Sequence, residues 1–247
     1  MAFLDIHFWG NSIQKQSSMY VILPDGDGPF PVLYLLHGLS DDHTIWHRRT
    51  SIERYAEGRP LIIVMPDGHR SFYCNDPRPG GLAYEDHMVK DVVGFVDRAF
   101  RTIRHRRGRA IAGLSMGGYG AMMLSLRHLD LFSVACSHSG ALAMFHSPRP
   151  ERADVQAVVA NLPKGAYDCF ALARKCARSR RGLAIRIDCG KEDFLLDHNR
   201  QFHAHLEKLG IRHVYEEHPG QHNWEYWDIH IRQTLEFVMA RVKAPKK

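Results

Sequence analysis

Hydrophobic and polar positions along this chain follow two alternating rhythms, and the switching between them sets the expected architecture. Short apolar runs stand at "FLDIHFW" (3–9), "SMYVIL" (18–23), "PVLYLLH" (31–37), "LIIVMP" (61–66), "RAIAGL" (109–114), "FSVACSH" (132–138), "AIRIDC" (184–189) and "RHVYEE" (212–217). Each has the length of a strand, and from the third onward most are continuously apolar, as strands are when both faces are covered. Between them apolar residues recur at spacings of three and four. One stripe is Val89, Val92, Val96 and Ala99; a second is Phe202, Leu206 and Leu209, closed by Gly210; the longest is Trp224, Trp227, Ile231, Leu235, Val238 and Val242. These are helices with one buried face.

Alternating strand and helix predicts an α/β protein with a mostly parallel sheet and helices on both faces. The first two runs break the rhythm. They are joined by the polar "GNSIQKQS", which leaves no room for a crossover helix and predicts an antiparallel N-terminal hairpin at the sheet edge. Residues 140–182 carry two short helical patterns, split by Pro163 and Gly165, and no strand; an insertion of that length is expected to form a helical cap over a site. No repeat, low-complexity tract or linker divides the sequence, so residues 1–247 read as one domain.

Composition narrows the class. At 247 residues and 45% hydrophobic, the chain can bury one large core. No stretch approaches the roughly 18 uncharged apolar residues that cross a bilayer. The N-terminus also lacks the three regions of a secretory signal, so the expectation is a cytoplasmic protein with no membrane partner. Five scattered cysteines (Cys74, Cys136, Cys169, Cys176 and Cys189) contain no CxxC pair, which points to buried thiols rather than disulfides or zinc. The formal charge of +6 is densest in "RTIRHRRGR" (101–109). With no interleaved aromatics and no nucleic-acid module around it, this run reads as a solvated helix end and loop. The histidines of "HAH" (203–205) and "HPGQH" (218–222) lack the HExxH or carboxylate spacing of a metal site.

Candidate chemistry centres on "AIAGLSMGGYGAMML" (110–124), where Gly113-Leu114-Ser115-Met116-Gly117 matches G-x-S-x-G. Three fixed letters occur by accident in about one chain in ten of this length, so the setting decides. A strand runs into the pattern and an apolar helix runs out, the context of a nucleophile elbow that aims a strained serine out of the sheet edge. Gly113, Gly117 and Gly118 then serve a close strand–helix approach that admits no β-carbon. A glycine-rich turn with an incidental serine, or a phosphate loop, is the alternative, but no Walker lysine or dinucleotide fingerprint is present.

A serine hydroxyl needs a base and a group that orients it. After the seventh run, "KEDFLLDHN" places Glu192, Asp193 and Asp197 in a loop; after the eighth, "HPGQHNWEYW" places His218 and His222 in the corresponding loop. Both loops follow carboxyl ends of strands, where open α/β sheets gather ligands. Asp193 is the preferred acid, since a short loop carries it back over the sheet. Asp197 is expected to N-cap the next helix, and Asp188, inside its strand, to be structural. His222, at the loop crest after Gly220, is preferred over His218, which sits nearer its strand. Backbone N–H groups of Met116 and of Leu39, freed by the glycine of His37-Gly38, are the expected oxyanion donors. Trp46, Phe145 and Phe194 lie near these loops and are candidate pocket walls.

The segments "HGLSDDHTIW", "AIAGLSMGGYGAM", "CGKEDFLLDHNRQF" and "GQHNWEYWD", in this order, make the chain resemble the esterase D family of α/β-hydrolases. It is most similar to small bacterial acetyl and tributyrin esterases, with S-formylglutathione hydrolases, feruloyl esterases and mycolyltransferases as more distant relatives. The resemblance covers essentially the whole chain and is weakest at 140–182, where "SPRPERAD" departs from the pattern. It implies the α/β-hydrolase fold and hydrolysis of short acyl esters. It also implies Ser115 as nucleophile, Asp193 as acid, His222 as base, oxyanion amides at Leu39 and Met116, no metal or organic cofactor, a small-molecule ester as partner, and dimers or tetramers in many members. A hydrolase fold kept only for binding is the alternative of another class; such proteins usually lose the serine or the histidine, and both are present here.

Overall fold

The computed structural model describes residues 1–147 and 153–242. All eight expected strands form: β1 (Ala2–Gly10), β2 (Lys15–Leu23), β3 (Val32–Leu36), β4 (Ile62–Pro66), β5 (Arg109–Leu114), β6 (Val134–His138), β7 (Ala184–Gly190) and β8 (His213–His218). They build one sheet in the order β1-β2-β4-β3-β5-β6-β7-β8. β2 runs antiparallel to β1 and β4, and the remaining neighbours are parallel. The hairpin lies at the edge as expected, with strands longer and a turn shorter than the sequence suggested: Gly10 pairs with Lys15.

Alternation along the central strands explains their unbroken apolar runs. Val32, Tyr34 and Leu36 of β3 and Ile62 and Val64 of β4 point into one core, while Leu33, Leu35, Ile63 and Met65 point into the other. With successive side chains on opposite faces and both faces covered, no position of β3 or β4 is left for a charged residue.

One face is covered by α1 (Ile45–Arg49), α2 (Ile52–Ala56) and, late in the chain, the long Trp224 helix, whose Trp227, Ile231, Leu235 and Val238 enter the second core. On the other face the Val89 stripe begins as α3 (Tyr84–Asp86), passes through a π-helical stretch (His87–Val92) and continues as α4 (Val93–Ala99). α5 (Met116–Arg127) follows β5 and is buried along almost its whole length. The 140–182 insertion yields α6 (Ala153–Val159), α7 (Lys164–Tyr167) and α8 (Cys169–Ala177); residues 148–152 of its "SPRPERAD" stretch lie outside the described residues. α8 packs into the core layer against α5 and α9 (Leu196–Lys208), so only the first part of the insertion is free to cover anything. The Trp224 helix is α10 (Trp224–Met239). No described helix is long and apolar enough to cross a membrane. All five cysteines are free and buried, and burial raises the thiols of Cys74, Cys136, Cys169, Cys176 and Cys189.

α7 is fastened to this frame by Glu85. Its buried carboxylate accepts from Arg127 Nε (2.6 Å), His128 Nε2 (2.8 Å) and Tyr167 Oη (2.8 Å). Burial alone would raise its pKa, but the bonds from His128, Arg127 and Tyr167 outweigh it and hold the group at about 2. A folded-state pKa below the unfolded one gives stability that is present above the ordinary carboxylate range of about 4.3 and is lost as pH falls toward 2. Glu85→Gln is expected to cost about 3 kcal/mol at neutral pH, a fall in Tm of roughly 6–12 °C. It should also flatten the acid limb of a Tm-against-pH curve measured by calorimetry; an unchanged limb would remove Glu85 from this role.

Candidate active site

β5 ends at Leu114 and α5 begins at Met116, leaving Ser115 alone to turn the chain, at φ 53° and ψ −115°. The left-handed φ is costly for a residue with a β-carbon and persists only because its surroundings enforce it. Ser115 N–H donates to His138 O on β6 (2.9 Å), and its own carbonyl accepts from Tyr119 N (3.0 Å) and Ala141 N (3.2 Å). A β-carbon on Gly113 would lie 2.4 Å from Gly117 O, and one on Gly117 would lie 2.5 Å from Leu36 O. Both contacts are to backbone, so helix and strands meet here at a separation that only glycine permits. Gly118 is similarly confined, by Ser137 and Gly140.

The two later loops deliver their side chains to this turn. Ser115 Oγ stands 3.0 Å from His222 Nε2, and His222 Nδ1 lies 2.8 and 3.0 Å from the two carboxylate oxygens of Asp193. With the imidazole proton on Nδ1, the ring donates to Asp193 and accepts from the serine hydroxyl. The Asp193 side chain is fully buried and also accepts Leu195 N–H (2.7 Å), which fixes the carboxylate in place. Phe194 lies across the imidazole (ring centroids 4.3 Å apart) and Trp227 meets it edge-on (4.9 Å).

Sequence reasoning did not reach what holds these loops. Gly190 and Gly220 pass so closely that a β-carbon on Gly190 would sit 2.2 Å from Gly220 O. Glu192 accepts Gly220 N–H (2.6 Å) while its own N–H donates to Gly220 O (3.1 Å), coupling the acid loop to the base loop. Asp188 is buried and accepts from His138 Nδ1 and Tyr226 Oη (each 3.0 Å) and from Arg186. Burial is outweighed by His138 and Arg186, which hold its pKa far below the carboxylate range. It ties β6, β7 and α10 together, in keeping with a structural role. Nothing in the local sequence around Glu192 or His138 announces these partners.

The loop after β3 is also braced. His37 is buried; its Nδ1 donates to Gly38 O (2.7 Å) and its Nε2 accepts Gly68 N–H (2.8 Å), while Tyr73 Oη donates to His37 O (3.1 Å). Asp67, beside the same ring, has its pKa held at about 2: burial raises it, and the neighbouring His37 and the His69 N–H lower it by more. Within this brace Leu39 N–H has no acceptor among the described residues. Met116 N–H, in the first turn of α5, has no partner within its helix. Leu39 and Met116 line the same cavity as Ser115.

Three expectations are corrected. Trp46 does not line the site: it is fully buried in the second core, its Nε1 donates to Leu36 O (2.9 Å), and it supports Trp224 edge-on. Phe145 packs against the first core instead of facing the cavity, because the chain turns there in a tight series of bonds. Asp197 lies in the first turn of α9, whose N-cap is Leu195; the preceding Asp193 already accepts the Leu195 N–H, so the helix starts earlier than Asp197 would place it. Phe194 is a wall, as expected. His218 ends β8 and stacks on His230 (4.2 Å), away from the serine.

A cavity of about 450 Å³ opens over Ser115. Ala141, Met144, Val155, Phe194 and Leu195 supply apolar wall, and Asp41, Arg49, Asn223 and Glu225 supply polar wall. Burial raises the pKa of Asp41 despite the opposing influence of His37. Among the described residues no group of three or more His, Cys, Asp or Glu is arranged to hold a metal ion.

Residues 10–238 match the family model named Esterase. The acetyl esterase of Caldicellulosiruptor saccharolyticus is 26% identical over 96% of this chain and 98% of its own length. The fluorophosphonate-binding serine hydrolase F (FphF) of Staphylococcus aureus, solved with substrate bound, superimposes with a TM-score of 0.87 at 30% identity, covering 96% of this chain and 98% of that one. The S-formylglutathione hydrolase (FrmB) of the same organism gives 0.84 at 29% identity, over 96% and 98%. With the elbow, the sheet order and these matches in agreement, the chain belongs to the esterase family of α/β-hydrolase-fold serine hydrolases, enzymes that cut carboxylic ester bonds.

Proposed function

We propose that this chain is a carboxylesterase for short-chain acyl esters, of the acetyl or tributyrin type, with Ser115 as nucleophile, His222 as base and Asp193 as the acid that orients it. The observation that carries the reading is the unbroken relay from Ser115 Oγ through His222 to Asp193, with each link between 2.8 and 3.0 Å. Ser115 Oγ attacks the ester carbonyl as its proton passes to His222 Nε2; Asp193 steadies the imidazolium that forms. The carbonyl oxygen takes up negative charge facing Leu39 N–H and Met116 N–H, and the positive end of α5 adds to their effect. The tetrahedral centre collapses, the alcohol leaves with the proton from His222, and water repeats the steps to release the acid.

The short-acyl reading is supported by the likeness to the acetyl esterase and by the apolar lining of the cavity. Met144, Val155 and Leu195 line it on one side, an apolar wall that suits an alkyl acyl group. A thioester reading is the second one, favoured by the likeness to the S-formylglutathione hydrolase at a TM-score of 0.84; the same relay serves a thiol leaving group.

Ser115→Ala is expected to lower kcat by up to about a million-fold while leaving the melting curve intact, and to abolish labelling by a fluorophosphonate. A variant that hydrolysed p-nitrophenyl acetate at the native rate would sink the mechanism. On a panel of p-nitrophenyl esters of rising chain length, kcat/KM should peak at acetyl to butyryl and drop about tenfold or more beyond, since misfit in a packed pocket costs at least about 1–3 kcal/mol. S-formylglutathione and a feruloyl ester belong on the same panel; a higher kcat/KM for either one would replace the short-ester assignment.

A further inference from the structure

The basic run at 101–109 gains a second, distant partner in the fold. Arg106 donates from Nε to Leu129 O (2.6 Å) and from Nη2 to Phe132 O (3.0 Å) and Gly182 O (2.7 Å). The last bond brings "RKCARSRRG" (174–182) beside "RTIRHRRGR". Arg106 also feels this crowding: its pKa is lowered by burial and then by Arg181 and Arg107.

Charge along the chain is divided to match. Residues 98–129 and 169–187 together hold 13 of the 33 Lys and Arg and none of the 27 Asp and Glu, so 20 cations face 27 carboxylates in the rest of the sequence. The whole positive balance of the protein therefore resides in these two windows. Within them Arg101, Arg104, Arg107, Arg178, Arg180 and Arg181 are exposed, and none of the six forms an ion pair among the described residues. They precede β5 and β7, at the amino ends of the parallel strands, whereas Ser115 and Asp193 follow the carboxyl ends of the same strands.

We propose that this arginine face is a docking surface for anionic phospholipid headgroups, on which the enzyme sits with its cavity turned away from the bilayer. Solvation alone does not require so one-sided a distribution, because ordinary surfaces intersperse the two signs. Guanidinium groups match phosphate oxygens with paired donors, and clusters of four to eight Lys or Arg are the size that anionic lipid surfaces hold. That no described helix is long and apolar enough to cross a membrane bears on insertion and not on this peripheral contact. A nucleic acid fits less well: no aromatic residue lies in 104–109 or 174–182 to stack on bases. The cations also stand on two separate segments, before β5 and before β7, joined by the Arg106–Gly182 bond. Laterally mobile headgroups meet such a face without any register.

The test is cosedimentation of the whole protein with vesicles of phosphatidylcholine alone or mixed with phosphatidylglycerol. Binding is expected only to the mixed vesicles, with release as salt is raised. At about one kcal/mol, or roughly fivefold, per cation, the triple variant Arg178→Ser, Arg180→Ser, Arg181→Ser should partition about a hundredfold less, with p-nitrophenyl acetate hydrolysis unchanged. Equal binding to both vesicle types, or no binding to either by the unaltered protein, overturns the proposal, and that comparison needs no variant to fold. So does duplex DNA that strips the protein from the mixed vesicles at equal phosphate.

Discussion

The contact on which the rest of this structure depends is the approach of α5 to the ends of β3 and β5. Backbone meets backbone there, with Gly117 against Leu36 O and Gly113 against Gly117 O, and the serine between them is held at a φ it would not choose. The strain is local and small beside the burial of α5, whose apolar residues fill the first core. Packing of a whole helix thus sets the position of one hydroxyl, and the same helix begins beside it with its first amides unpaired within the helix. Geometry of this kind is fixed before any substrate arrives, which is what lets a hydrogen-bond donor act at a developing charge without reorganising.

Asp193 and His222 reach the serine by a different device. Their loops follow adjacent parallel strands, and β7 pairs with β8 out to Gly190 and His218, so the loops leave the sheet side by side. The Gly190–Gly220 crossing and the two bonds between Glu192 and Gly220 then make one body of two loops. Beneath them Asp188 gathers donors from β6, β7 and α10 in a buried network whose members are mutually satisfied. Displacement of any one element would be felt at the imidazole, because no loop in the assembly is fixed by its own sequence alone.

What the sequence revealed and withheld follows from this division. Strands covered on both faces become continuous apolar runs, so β3 to β7 were legible from hydrophobicity, and the edge hairpin was legible from the missing crossover. Ser115, Asp193 and His222 could be picked out because each lies just past a strand end on one edge of a parallel sheet. Trp46 was misplaced because proximity in sequence to the Leu39 loop says nothing about which sheet face a residue takes, and α1 turns it into the second core. Asp197 looked like a cap because a carboxylate near a helix start usually is one, but Asp193 already held that turn. The brace of His37 between Gly38 and Gly68, and the bond from Glu192 to Gly220, join residues about thirty positions apart, and no periodicity encodes such a pairing.

The five cysteines carry a consequence of their own. Each is buried, and burial favours the neutral thiol over the thiolate, the form that alkylating agents and peroxides attack. None of them lines the cavity over Ser115. The folded protein thereby keeps its five thiols in the form least open to alkylation or oxidation, and apart from the cavity over Ser115.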